Sequence, residues 1–201
     1  MRIDVKRTKV YLFRELSENA QQKALEKLWE INVDSEFWYE CIIEDAKEVG
    51  KLMGIDINNI YFSGFWNQGD GACFEGNYEY RKNSAKLVQN YAPKDTELHR
   101  IAKELQRIQK RCFYQLYAIV KHRGHYSHKY CTEFTVQWNY DYYKKLPENV
   151  EDDLVETLRD FMDWIYDQLR KNYEYFTSKK SIIETIEANE YEFTEDGKLY
   201  F

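Results

Sequence analysis

A chain of 201 residues is most simply one domain, long enough to bury a substantial core. Its 32% charged and 43% hydrophobic residues exclude a disordered chain, and no apolar run approaches the length of a membrane span. The N-terminal MRIDVKRTKV lacks the apolar core of a signal peptide, so a cytosolic protein is expected, and the net charge of −6 argues against indiscriminate nucleic-acid binding.

The first element is a short strand in VYLFREL, after which Ser17 caps a helix reaching about Asn32. Ser35 or Asp34 opens a second helix that runs to about Met53 and closes on Gly54 at the C′ position. Strands are expected at about 58–66 and 72–81, then a short helix near 83–91. Pro93 and Asp95 begin another helix, ending near Arg111. FYQLYAIVKHRGHYSHKYCTEFTVQW is the clearest hairpin: in its second arm Tyr130, Thr132, Phe134, Val136 and Trp138 share a face, with Cys131, Glu133, Thr135 and Gln137 on the other. A long helix follows at about 150–176, a shorter one at about 179–189, and YEFTEDGKLYF is a terminal extended piece. Helices around antiparallel hairpins make the class α+β, one domain over residues 1–201 with an antiparallel sheet of four to five strands and helices packed around it.

The stretch YFSGFWNQGDGACFEG is least like ordinary scaffolding. If its arms pair, Asn67-Gln68-Gly69-Asp70-Gly71 is the connection, and turn chemistry accounts for the glycines and the Asp-Gly step. It does not account for Gln68, nor for Phe65 and Trp66 so close to the turn. Two ring faces, an amide and a carboxylate at a hairpin tip could grip a planar ligand or the edge of a partner. With no Walker lysine and no G-x-G-x-x-G, it is no familiar phosphate loop.

In the second helix, Trp38, Cys41, Ile42, Val49 and Leu52 form an apolar stripe at 100° per residue, and Asp45 projects from its middle, while Glu44, Lys47, Glu48 and Lys51 lie opposite. A carboxylate on a core-facing stripe is either a hydrogen-bonded structural group or an acid at the floor of a pocket. His122, His125, His128 and Cys131 recur every third residue across the later hairpin tip. Residues three apart on a strand point to opposite faces, so solvated turn histidines are expected and no metal site is assigned. The four scattered cysteines, with no CxxC pair, are expected as free thiols. Arg100, Lys103, Arg107, Lys110 and Arg111 line one face of their helix, and Asp152, Glu156, Asp160, Asp163 and Asp167 one face of theirs. These stripes are solvated faces or contacts for a partner of opposite charge.

Taken together, FSGFWNQGDGACFEG, YAPKDTELHRIAKELQRIQKR, FYQLYAIVKHRGHYSHKYC, NYEYFTS and YEFTEDG resemble a family from phage and prophage genomes labelled "antitoxin of toxin–antitoxin stability system". FWYECIIEDAKEVG is similar to that family's aromatic-plus-acidic second helix, and Asn67 stands where the family's loop often has serine. The resemblance implies motif positions at Trp66, Gln68, Asp70 and the Glu44–Asp45 pair. It also implies a phage-type accessory protein that binds and neutralises a toxin or host-defence protein, in the host cytosol if phage-encoded.

The expectation is therefore a binding protein and not an enzyme, with a protein partner, no cofactor, no nucleic acid and no membrane. Its contact residues are Phe65, Trp66, Gln68, Asp70, Asp45 and Glu44. The alternatives are capture of a nucleotide-like ligand at the Trp66–Asp70 tip and, more weakly, an enzyme using paired carboxylates or a metal.

Overall fold

The computed structural model describes residues 8–139 and 145–200; residues 1–7, on which much of the N-terminal reading rests, and residues 140–144 and 201 lie outside it. The chain is α+β, with six α-helices, a four-stranded antiparallel sheet and a two-stranded one among the described residues. None of these helices is long and apolar enough to cross a membrane. Two compact units can be distinguished, residues 40–170 and residues 1–39 with 171–201.

In the smaller unit the expected first strand is short. β1 covers only Tyr11–Leu12, and a 3-10 turn takes Phe13–Glu15. Phe13 and Leu16 are both buried, a helical spacing that strand alternation cannot satisfy. α1 (Glu18–Lys27) starts on Ser17, whose hydroxyl accepts from Ala20 N, and ends before Asn32. Asn32 is used elsewhere: its amide donates to Phe176 O and Ser181 Oγ and accepts from Thr185. α6 (Lys179–Ala188) begins on Ser178, and β6 (Glu192–Phe193) pairs antiparallel with β1. Phe13, Ala20, Ala24, Ile182, Ile186 and Phe193 form the core of this unit.

In the larger unit, α2 (Phe37–Met53) closes on Gly54 at φ 87°, as its sequence position implies, and the chain turns straight into β2. β2 is therefore Ile55–Phe62, earlier than the alternation suggests. β3 (Ala72–Glu79), β4 (Leu116–His122) and β5 (Thr132–Trp138) complete the order β2-β3-β4-β5, all antiparallel. Ile55, Ile57, Phe74, Tyr78, Leu116, Ala118 and Val120 are buried on one face, whereas Asp56, Asn77, Glu79 and Tyr117 lie on the other. An antiparallel sheet with one packed face takes this pattern. A bulge between Ile57 and Asn59 reverses the alternation in β2, so Asn59 and Tyr61 join Glu75 on the open face.

The packed face meets α5 (Val150–Phe176), where the rings of Phe74 and Phe161 touch edge to face. α3 (Ser84–Tyr91) leads to α4 (Thr96–Arg111), capped by Asp95, which accepts from Leu98 N with one oxygen and from Trp164 Nε1 with the other. One cap thus starts a helix and docks α5. At the other end of α4, the fully buried Gln109 amide bonds the Leu116 backbone in both directions, at 2.9 and 3.1 Å, tying the helix to β4.

α4 ends in a Schellman pattern, Phe113 N reaching Lys110 O and Tyr114 N reaching Gln109 O. Phe113, at φ 53°, occupies the place where glycine is usual, and its ring is 75% exposed. A left-handed bulky residue whose ring is mostly in water costs stability with little packing return. Phe113→Gly is expected to stabilise the chain by about 0.5–1 kcal/mol, a rise of about 1–4 °C in Tm by calorimetry.

Candidate functional site

Antiparallel order brings the β2–β3 loop (residues 63–71) and the β4–β5 loop (residues 123–131) to the same end of the sheet. They meet at Gly71, where a Cβ would stand 3.0 Å from the His128 ring and 3.3 Å from its Cα. The buried Gly71 thus has a packing reason for its identity as well as a turn reason.

Within the first loop, Asp70 Oδ2 accepts from Trp66 N at 2.9 Å and Asn67 N at 2.7 Å. This carboxylate is the brace of its own turn, and Gly69 supplies the left-handed step at φ 94°. Tyr166 from α5 donates to Gly64 O at 3.0 Å, and its ring stacks on Phe65 at 5.5 Å. Phe65 is half-buried, and this stack anchors the loop to α5. Trp66 is 69% exposed, and Asn67, Gln68 and Gly69 are exposed beside it.

The second loop adds Tyr126 and Tyr130, also largely exposed. The Tyr130 ring is held by the Arg159 guanidinium at 4.8 Å, Lys129 Nζ at 5.3 Å and the stacked His128 ring. Lys129 in turn pairs with Asp163 at 2.6 Å. His122 stacks on Tyr61 and lies within 3.0 Å of Tyr126 O, and His128 accepts from Tyr130 N, so these two histidines serve loop structure. Among the described residues no group of three His, Cys, Asp or Glu side chains is placed to hold a metal ion. Cys73 sits beneath this end, its thiol pushed up to about 12 by burial, and the four cysteines are free.

Below the tips, Glu75 accepts from Tyr61 OH at 2.9 Å, Asn59 Nδ2 at 3.3 Å and His122 N at 3.3 Å, joining β2, β3 and β4. The Tyr61 hydroxyl first, and Asn59 next, hold its carboxyl below the usual carboxylate range. Glu75 therefore contributes stability that is fully present above its unfolded pKa and lost as pH falls through the lower folded value. In Glu75→Gln, the acid limb of a Tm-against-pH profile should be shallower below about pH 4.3, with little change in slope at neutral pH.

The remaining expected residues lie elsewhere. The buried side of α2 is Trp38, Ala46, Val49, Gly50 and Met53, and Cys41 is exposed. Asp45 is thus not at the centre of a core stripe; it flanks it, half-buried, and accepts from Tyr91 OH at 2.5 Å. Small residues set this side: a Cβ on Gly50 would lie 3.0 Å from Ile55 O. Glu44 is exposed. Asp45 and Asp70 are each engaged by their own neighbours, one by a tyrosine and one by backbone amides.

The basic stripe of α4 meets α5, although only Arg100–Asp160 joins the two stripes directly, and Asp153, outside the acidic stripe, takes the other cross-helix pairs. Arg100 joins Glu97 and Asp160, Arg107 joins Glu104 and Asp153, and Arg111 also holds Asp153. Asp163, Glu156 and Asp167 pair with Lys129, Arg159 and Arg170. Such half-exposed pairs are each worth about 0–1 kcal/mol, but they engage most of the charge that a partner of opposite sign would need.

Comparison with curated proteins and with solved structures finds no match. A family model matches residues 38–179, well over half of the chain and all of the larger unit. The chain belongs to the family described as "Domain of unknown function (DUF8835)".

Proposed function

We propose that this chain acts by binding a protein partner through the joined hairpin tips, with Trp66 as the anchor. The observation that carries the reading is Trp66 itself, 69% exposed on a loop fixed from behind by Asp70 and Tyr166. Exposed tryptophans and tyrosines on rigid supports supply contact area at low entropic cost. Gln68 adds an amide beside the ring, and Tyr126 and Tyr130 extend the aromatic patch across the second loop.

The tip suits a macromolecule better than a small ligand. Asp70 is engaged in its own loop, Phe65 is stacked on Tyr166, and residues 66–69 project in succession, whereas small-molecule sites are concave. The phage-protein resemblance supplies the partner class: a toxin or host-defence protein, neutralised in the cytosol of the cell that makes the protein. On the basic helix face, Arg100, Arg107 and Arg111 pair with carboxylates of α4 and α5, which weighs against a nucleic-acid role there.

Affinity capture from host lysate with the wild-type chain and with Trp66→Ala tests this. A protein retained by the first and lost with the second supports the reading; identical recoveries, or none, contradict it.

A further inference from the structure

At the opposite end of the same sheet lies a second feature, a cleft of about 620 Å³. Asp56, Asn77, Tyr80, Arg81, Lys82 and Tyr117 line it, together with Lys51 and Glu79 beside Gly54. It is built by a close backbone approach: Glu79 N donates to Gly54 O at 2.9 Å, and a Cβ on Gly54 would fall 2.1 Å from Glu79 O. Its volume lies within the range of small-molecule sites.

Arg81 is the unusual group. Every other arginine among the described residues holds a carboxylate, whether Arg14, Arg100, Arg107, Arg111, Arg123, Arg159 or Arg170. Arg81 instead donates through Nη1 to Lys51 O at 2.8 Å, the last turn of α2. Capping a helix end uses one of five N–H donors and orients the rest. Lys82, the next residue, also forms no ion pair among the described residues, whereas Lys51 pairs with Glu48. Two unneutralised cations thus sit at the cleft, although Asp56 and Glu79 line it too.

The walls carry complementary chemistry. Tyr117 OH donates to Asn77 Oδ1 at 2.8 Å, which leaves the Asn77 amide N–H groups to donate elsewhere. Tyr80 presents a ring supported at 4.5 Å by Tyr114, itself held at φ 62° in the left-handed region. Cations for phosphate, tyrosine faces for a planar base, and carboxylates as acceptors for sugar hydroxyls occupy one cleft.

We propose that this cleft binds a nucleoside phosphate, with Arg81 and Lys82 on the phosphate, Tyr80 or Tyr117 against the base, and Asp56 or Glu79 on the sugar hydroxyls. The site is separate from the Trp66 tip, and the two readings stand or fall independently.

Isothermal titration calorimetry on the full chain tests it, with the four common nucleoside monophosphates and triphosphates, adenosine and inorganic phosphate as probes. At least one nucleotide is expected to bind at least 10-fold more tightly than adenosine or phosphate alone. Arg81→Met should weaken it by 10-fold or more, and Trp66→Ala should leave it unchanged. Lys82→Met gives the same readout without touching the α2 cap, should Arg81→Met fail to fold. No binding by any nucleotide, phosphate alone binding as tightly, undiminished binding in both cation variants, or loss with Trp66→Ala would each overturn the proposal.

Discussion

Trp66→Ala should remove partner capture while leaving Tm within about 1–2 °C of wild type. The two effects separate because of how the loop is built. The Trp66 ring lies mostly in water and adds little to folding, so its truncation belongs with surface changes of about 0.5 kcal/mol or less. The backbone around it is braced by groups that the substitution leaves alone: Asp70 still accepts from residues 66 and 67, and Tyr166 still donates to Gly64 O. A tryptophan at the centre of an interface is typically worth about 2 kcal/mol or more when truncated, which is about 30-fold in Kd. Phe65→Ala should behave in the opposite way. Its ring stacks on Tyr166, so Tm falls first and binding is lost through the loop.

The largest effect on stability is expected at Gly76. Ile57 pairs with Gly76 but Asn59 with Glu75, so Asn58 is the extra residue of the β2 bulge. The bulge presses the Asp56 carbonyl against Gly76, where a Cβ would stand 2.0 Å from Asp56 O and 3.1 Å from Ile57 Cα. Both obstacles are backbone of the paired strand β2, and no side-chain rotation relieves them. Gly76→Ala should cost about 3 kcal/mol and lower Tm by roughly 6–12 °C. The loss reaches the tips, because the same bulge turns Tyr61 and Asn59 toward Glu75. Gly69→Ala is the contrast: nothing lies within 4 Å of its Cβ, and only its φ of 94° opposes the change, so about 1 kcal/mol is expected. A Gly76→Ala chain melting with the wild type would show that the bulge is not what this glycine serves.

Much of this architecture is legible in the sequence, because its signals are local. Ser17 and Asp95 as caps, Gly54 as a helix stop and the alternation from Thr132 to Trp138 all operate within a few residues. What depends on distant partners is not legible. The side of α2 that is buried is set by Ala46 and Gly50, whose smallness permits close approach, and a count of large apolar residues passes over them. For that reason Asp45 looked central when it flanks the stripe and meets Tyr91. The charge stripes are visible as periodicity, yet that Arg100 and Arg107 would find Asp160 and Asp153 depends on how α4 and α5 pack. In the signature loop, the sequence singles out Phe65, Trp66, Gln68 and Asp70 together, and the fold divides them into a half-buried anchor, an exposed ring and amide, and a brace. Arg81 carries no sequence signal at all; its interest is that every other arginine among the described residues found a carboxylate.

The most direct test of the binding role is site-specific photo-crosslinking in living host cells. A benzophenone amino acid placed at Gln68, on the exposed tip, is compared with one at Thr135, exposed in the edge strand β5 away from the loop ends. The account predicts one discrete protein adduct from position 68, none from position 135, and loss of the adduct when Trp66→Ala is combined with it. Adducts from position 135 alone, or an adduct from position 68 that persists without Trp66, would contradict it.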